Sequence, residues 1–239
     1  MKKLFVLAAA LFVCGLAGSA NAADMPTKAP VYKAPPVVAP YNWTGFYLGV
    51  NGGYGWGTTS GNILPTFFAG NYDINGGLFG GQIGYNYQFP ASHFVLGIEA
   101  DWDWADIKGS QNIGPPAPPG TTDSLKVKDL GTVRGRIGYA WDRFLVYGTG
   151  GWAWSSSVSA FCSGCVVQND SHSLNGYVLG AGVEYGFTPN LSAKIEYLYT
   201  HLEPVDFFRN AGCTVNCSLG ANVNMIRVGL NWRFTGFPY

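Results

Sequence analysis

The 239-residue chain has 14 Lys and Arg against 14 Asp and Glu, and this balance gives no indication of nucleic-acid binding. Charged residues make up only 12% of it, against about 25% in an ordinary soluble domain, whereas aromatic residues reach 15% and glycine numbers 34. Such a chain has too few charges to cover a surface in water, yet beyond residue 22 it has no apolar run long enough for a membrane helix. It can enter a membrane only through strands that alternate with period two.

The first 22 residues have the pattern of a secretory signal peptide. Lys2 and Lys3 give a basic start, residues 4–18 are apolar, and Ala20-Asn21-Ala22 is a cleavage sequence with small residues at alternate positions. The apolar stretch is too short to anchor the chain in a bilayer. We expect removal of residues 1–22, which leaves 217 of the 239 residues and 12 basic against 14 acidic side chains.

Residues 23–42 form a proline-rich lead-in to the rest of the chain. Five prolines and two lysines in this stretch predict a semi-extended periplasmic linker. Contact between this segment and peptidoglycan is left open. We expect the remaining residues, 43–239, to form one barrel domain.

From Gly45 to Phe234, apolar residues alternate with small or polar ones, which predicts β-strands. Eight such segments cover residues 46–56, 76–89, 94–105, 127–141, 144–155, 175–187, 191–200 and 223–234. Short turns at 90–93, 142–143 and 188–190 alternate with long loops at 57–75, 106–126, 156–174 and 201–222. This spacing predicts an all-β, eight-stranded antiparallel up-and-down transmembrane barrel with short periplasmic turns and long extracellular loops.

One face of each predicted strand is apolar and carries aromatic residues near both ends. The short-turn end holds Phe46, Phe89, Phe94, Trp141, Phe144, Phe187, Trp232 and Phe234, and the long-loop end holds Trp56, Trp102, Trp104, Trp152, Trp154 and Tyr199. Two aromatic belts around an aliphatic band are typical of the two lipid–water interfaces. A soluble barrel with a fatty interior is the alternative, but the belts have no function in water.

The opposite face carries five acidic and five basic residues at mid-depth. They are Glu99, Asp101, Asp103, Arg134, Arg136, Glu184, Lys194, Glu196, Arg227 and Arg233. Eight strands leave an interior that side chains fill, and buried charges there must be paired. We therefore expect a plugged interior. Counting from the short turns places Glu99 level with Arg136 and Asp101 level with Arg134, and we expect barrel shear to offset these levels.

Three segments, Trp43–Trp56, Gly131–Tyr139 and Asp142–Gly151, resemble the porin-like outer-membrane β-barrel family of alphaproteobacteria, which includes RopB-like small surface antigens and hemin-binding surface proteins. The resemblance extends over about residues 43–234. It implies a barrel similar to the membrane domain of OmpA in the outer membrane of a Gram-negative bacterium, without a catalytic site or cofactor. It also implies outer-membrane lipid, lipopolysaccharide and the barrel-insertion machinery as partners. Unlike barrels that end on an aromatic residue, this chain continues from Phe234 to Tyr239, and either residue fits the terminal signal.

Four cysteines of the mature chain lie in two of the predicted loops. Cys162 and Cys165 are in the third long loop, and Cys213 and Cys217 are in the fourth. Four thiolates with this spacing suit zinc, but an exported chain meets an oxidising compartment. We expect two disulfides, each within its own pair, and no metal site.

Other candidate sites have weaker signals. Asp170-Ser171-His172-Ser173 combines acid, hydroxyl and imidazole, but adjacent strand residues point to opposite faces and need not converge for catalysis. Heme capture would draw on His172, His201 or tyrosines in the loops, whereas His93 lies at the opposite end. The glycines of 180–186 resemble a dinucleotide fingerprint, but strand follows instead of helix.

Three roles remain for such a barrel: envelope integrity with display of surface loops, passage of small solutes, and adhesion or heme capture by the loops. The charge-filled interior favours the first over the second. None of the three is enzymatic.

Overall fold

The computed structural model describes residues 41–62, 71–112, 119–120, 122–162, 169–207 and 218–234. Residues 1–40 and 235–239 fall outside these ranges, so the signal peptide, the proline-rich lead-in and the role of Tyr239 stay predictions. The eight strands are β1 (Gly45–Asn62), β2 (Asp73–Gln88), β3 (Phe94–Asn112), β4 (Thr122–Trp141), β5 (Phe144–Cys162), β6 (Asn169–Gly186), β7 (Leu191–Asp206) and β8 (Ser218–Arg233).

Every strand pairs with its sequence neighbour in antiparallel fashion, and β1 pairs with β8 to close the barrel. The closing seam is continuous from Tyr47 opposite Arg233 to Asn62 opposite Ser218. Closure leaves no unpaired strand edge, which a bilayer would not tolerate. The predicted fold class is confirmed. Among the described residues, no helix is long and apolar enough to span a membrane.

The apolar face of each strand points outward and the ionic face points inward. Leu96, Val133 and Ile195 are exposed, with relative accessibilities of 42%, 38% and 49%, whereas Glu99 and Arg134 retain 3% and 1%. Both predicted aromatic belts lie on the outer face and include exposed Phe46, Phe94, Trp104 and Trp152. A soluble barrel with a fatty core would show the opposite arrangement.

The strands extend well beyond the limits that alternation predicted. They run through much of the predicted long loops; for example, β4 begins at Thr122 and not at residue 127. Register shifts interrupt three pairings: Trp104 to Ile107, Ser155 to Val158 and Leu202 to Val205. A bulge breaks the period of two, so the pattern loses phase there.

Beyond these bulges the polarity of the strands inverts. In β4, Leu125 and Val127 are buried inside the barrel while Lys126 and Lys128 are exposed. Such an arrangement suits a barrel wall standing in water above the membrane. Because polar residues face outward above the outer aromatic belt, the apolar-outward pattern ends there, and the sequence predicts strands only up to that belt.

The register of the central charges is offset by two residues from the count along the strands. Glu99 lies opposite Arg134, Gly97 lies opposite Arg136, and Asp101 lies opposite Thr132. Phe94, the first residue of β3, pairs with Tyr139, so β4 continues two residues further towards the short turns. This is the stagger that a tilted barrel imposes.

Candidate functional site: the filled barrel interior

The ten predicted lumenal residues are all buried, none retaining more than 5% of its accessible surface. Two arginines lie at the centre of the layer. Arg227 contacts Asp101 at 2.9 Å, Asp103 at 2.5 Å and Glu196 at 2.7 Å. Arg134 contacts Asp101 at 2.8 Å and Glu196 at 3.2 Å and also pairs with Glu99. Acids and bases therefore alternate across the bore, from β3 to β7 and β8.

Two further cations extend this layer. Lys194 Nζ lies 2.9 Å from Glu99 and 3.3 Å from Glu196. Arg136 pairs with Glu184 at 2.7 Å. Because an unpaired buried ion costs several kcal/mol, each side chain of this layer depends on its neighbours.

Neutral hydrogen-bonding groups complete the central layer, and the charge pattern did not identify them. Tyr47 donates to Glu99 at 2.7 Å and Tyr147 donates to Glu196 at 3.2 Å. The Arg136 guanidinium carbon lies 4.1 Å from the ring centre of Tyr147 and 5.8 Å from that of Tyr47. Both tyrosines lie on the inward face of their strands, which otherwise carries mostly glycine and polar residues. This position in the alternation is the sequence signal that could have identified them as part of the interior.

Donors from β4, β7 and β8 hold two of the carboxylates. Thr132 donates to Asp101 at 2.6 Å, and Ser192 donates to Glu184 at 2.5 Å. Asn231 donates to the same Glu184 oxygen at 3.0 Å. These bonds orient the acids and leave fewer of their lone pairs unsatisfied.

Arg233 does not lie within this cluster of ion pairs but forms part of a cap at the short-turn end. Its guanidinium stacks on Trp43 at 4.6 Å and on Tyr41 at 5.1 Å, and it donates to the Asn42 carbonyl at 2.9 Å. Trp43 is fully buried and donates from Nε1 to the Asp142 carbonyl at 3.0 Å. Burial raises the pKa of the Tyr41 phenol above its ordinary value, although the Arg233 charge opposes the shift.

Apolar side chains fill the bore on both sides of the charged layer. At the short-turn end, Trp43 packs with Val95, Ala140 and Leu145. At the loop end a larger apolar cluster fills the extended part of the barrel. It includes Ile74, Leu78, Ile107, Leu125, Val127, Leu130, Val158, Leu174, Val178, Leu198, Leu202, Phe207, Val223 and Met225. Three layers thus occupy the interior: apolar, ionic and apolar.

The weaker candidate sites do not assemble in the described residues. Ser171 and His172 are successive residues of β6: the Ser171 hydroxyl lies 2.9 Å from that of Ser159, while His172 packs edge-on against Phe207. His201 bonds Asn222 near the loop end, and His93 bonds the Ala140 carbonyl at the short-turn end. Gly180–Gly186 is part of strand β6, so it forms no nucleotide-binding turn.

The cysteine prediction lies outside what the structure describes. Cys165, Cys213 and Cys217 fall in undescribed segments, and of Cys162 only the backbone, at the end of β5, is described. The two disulfides therefore stay predictions. In the described ranges, no group of three or more His, Cys, Asp or Glu side chains is arranged to hold a metal ion.

A cavity of about 890 Å³ lies at the short-turn rim, outside the filled bore. Tyr41, Tyr87, Phe89 and His93 contribute aromatic surface to it, and Asp142 contributes a carboxylate. It lies beside the point where the chain enters the barrel.

Comparison with known proteins places the chain in a family. The family model described as "Outer membrane protein beta-barrel domain" matches residues 8–234. The 31 kDa outer-membrane immunogenic protein of Brucella melitensis is 37% identical over 238 residues, which cover 91% of this chain and 95% of the relative. The 22 kDa outer membrane protein of Rhizobium leguminosarum is 32% identical, covering 83% of this chain and 82% of its own.

Among solved structures, Neisserial surface protein A is similar with a TM-score of 0.46 and 14% identity, over 80% of this chain and 98% of that one. The family assignment rests on the family model and the sequence relatives. The chain belongs to the outer membrane protein beta-barrel family and resides in the outer membrane of a Gram-negative bacterium.

Proposed function

We propose that this protein is a structural, non-catalytic component of the outer membrane whose barrel is closed to solutes. The observation that carries the proposal is the filling of the bore at three levels. Passage of a hydrated ion would require separating pairs such as Arg227–Asp101 and Arg134–Glu196 in a low-dielectric interior. Each charge left without its partner there costs several kcal/mol.

The ionic layer also links strands that are far apart in the barrel wall. Arg227 on β8 holds Asp101 and Asp103 on β3, and Lys194 on β7 holds Glu99 on β3. Such cross-links support a cylinder against deformation, as a role in envelope integrity requires.

Conductance in planar lipid bilayers tests the proposal against small-solute passage. We expect no steady large conductance from the wild-type protein. The matched variant carries Arg134→Ala, Arg227→Ala, Asp101→Ala and Glu196→Ala, which removes two bases and two acids from the ionic layer. Because apolar side chains still fill the bore on both sides of that layer, this variant should also stay closed. A steady large conductance from the wild-type protein would contradict a closed barrel. Before insertion, each protein must show the gel shift on boiling that a closed barrel gives.

Display of surface segments is a second part of the proposed role. The strands continue above the outer aromatic belt: Thr122 lies nine residues beyond Gly131, roughly 20 Å along the membrane normal for a strand tilt of about 40°. Several relatives are named immunogenic proteins, which supports surface exposure. Ser110→Cys on the outer face of β3 should be labelled in intact cells by a membrane-impermeant maleimide. A cysteine at Ser92, in the short turn, should react only after the cells are opened; the reverse result would contradict this orientation.

Heme capture gains no support from the described residues. His172 packs edge-on against Phe207, and His201 bonds Asn222. The relatives' names do not mention heme.

A further inference from the structure

β8 is one of two strands that no short turn ties to a neighbour in the barrel. Short turns join β2 to β3, β4 to β5 and β6 to β7, whereas residues 207–217 separate β8 from β7, and β1 and β8 lie at opposite ends of the strand order. A short turn sets the register of the two strands it joins. A strand without one can slide by two residues and still turn the same side chains outward. Side chains must therefore fix the register of β8.

Without β8, the ionic layer holds two more acids than bases. Its members on β1–β7 are Glu99, Asp101, Asp103, Glu184 and Glu196 against Arg134, Arg136 and Lys194. The charged residues of β8 are Arg227 and Arg233, and both are buried inside the barrel. This strand therefore brings two positive charges to an interior that has an excess of two negative ones.

Arg227 attaches β8 to β7 and β3 and not to β1. Its guanidinium lies 2.7 Å from Glu196 on β7 and, across the bore, 2.9 Å from Asp101 on β3. The residue opposite Arg227 on β1 is Gly53, which has no side chain. The ion pairs of Arg227 therefore do not require that β8 and β1 have met.

The inward residues beside Glu196 on β7 make this register unique. Glu196 is opposite Arg227, and the next inward residues of β7 are Lys194 on one side and Leu198 on the other. If β8 slid by two residues, Arg227 would face Lys194 or Leu198. The first arrangement sets like charges opposite each other, and the second leaves a buried charge without its partner on β7. Both are unfavourable, so Arg227 selects the observed register.

We propose that Arg227 docks β8 in register on β7 and β3, and that the seam between β8 and β1 closes only after this step. The seam joins the two ends of the strand order, and contacts with so much intervening chain form late because a longer loop costs more entropy to close. Until the seam closes, the interior is open to water, so salt weakens the attraction between β8 and the excess acids. Arg227 is thus a positioning residue for closure of the barrel.

Two engineered cysteine pairs time the closure of the seam against the formation of the sheet. Thr58→Cys with Asn222→Cys spans β1 and β8, and Ser110→Cys with Ser124→Cys spans β3 and β4. Each pair is placed in the chain of residues 23–239 with its four native cysteines replaced by serine. The protein is diluted from urea into phosphatidylcholine vesicles and oxidised at successive times, and the cross-linked fraction gives the rate at which each pair of strands meets.

The Arg227→Met variant removes the charge that docks β8. If half of the cost of breaking a buried ion pair is felt at the docking step, the seam cross-link should form about tenfold more slowly. The β3–β4 cross-link should keep its wild-type rate. Arg227→Lys keeps the charge and should retain most of the seam rate. Adding Asp101→Asn and Asp103→Asn to Arg227→Met removes the two excess acids and should recover about threefold of the lost rate.

Two controls separate docking by Arg227 from a general loss of stability. Arg143→Met removes an exposed charge in a short turn and should change neither rate. Raising the salt from about 0.1 M to about 1 M shortens the Debye length from about 10 Å to about 3 Å, and it should slow the wild-type seam about threefold relative to the β3–β4 pair. This measurement needs no substitution at Arg227, so it decides the question even if Arg227→Met does not assemble. Equal slowing of both pairs in Arg227→Met, an unchanged seam rate in that variant, or a wild-type seam insensitive to salt would each overturn the proposal.

Discussion

Glu99 on β3 and Arg134 on β4 lie directly opposite each other in the register, and their side chains form an ion pair inside the barrel. Their strand neighbours Leu96 and Val133 point to the outside. A bilayer thus surrounds a wall whose inner side is held together by charges.

The first prediction concerns Arg227, which holds three acids at once. Arg227→Met leaves Asp101, Asp103 and Glu196 facing one another without their shared cation. Breaking a buried ion pair by removing one partner costs about 3–5 kcal/mol. We expect a loss of this size in the free energy of unfolding, measured by reversible urea unfolding in detergent micelles. Arg143→Met, in the exposed turn, should stay within about 0.5 kcal/mol of wild type; equal losses in the two variants would contradict the central role of Arg227.

The second prediction concerns the coupling of Arg136 and Glu184, whose side chains are 2.7 Å apart. Either Arg136→Met or Glu184→Gln alone leaves one buried charge without its main partner. The double variant removes both charges, so we expect it to cost about 1–3 kcal/mol less than the sum of the two single losses. The same unfolding measurement on all four proteins gives this coupling energy, and strict additivity would show that the pair does not interact.

The third prediction concerns the close approach of Tyr47 to Gly84. A Cβ on Gly84 would overlap the phenol of Tyr47, which is held in place by its 2.7 Å hydrogen bond to Glu99. Gly84→Ala should therefore destabilise the barrel by about 1–3 kcal/mol, the usual cost of overpacking. Gly135→Ala is the matched control, because its nearest neighbour would be the Gly150 carbonyl at 3.9 Å. A larger loss at Gly135 than at Gly84 would contradict the packing described here.

The fourth prediction tests the lipid face by depth. Ile195→Arg puts a charge on the outer wall between the aromatic belts, where the cost in a lipid bilayer is about 2–4 kcal/mol. Ser110→Arg lies on the exposed outer face of β3 above the belt, and its cost should be about 0–1 kcal/mol. Unfolding in phosphatidylcholine vesicles measures both values. If Ile195→Arg proved neutral in these vesicles, this face would not contact hydrocarbon.

The layered interior could be predicted only in part. Charges such as Glu99 and Arg227 stood out on the inward face because ionisable groups rarely occur at membrane depth unless they are paired. Tyr47 and Tyr147 did not stand out, since a tyrosine suits either face of a membrane strand. Alternation places Arg233 on the same face as the ion-paired cluster, whereas its guanidinium stacks on Trp43, a residue before the first strand. Side chains from distant parts of the chain meet there, and alternation along one strand carries no information about them.

By itself, the sequence determined the fold class, the number of strands in the membrane and the side that each strand turns to lipid. These follow from local alternation, because a side chain's face is set by its position along its own strand. Only the tertiary structure decided the stagger that pairs Glu99 with Arg134, the bulges that carry the strands above the membrane, and the inversion that buries Leu125 and Val127. Stagger, bulges and closure are properties of strands relative to each other, so they are settled when the barrel closes.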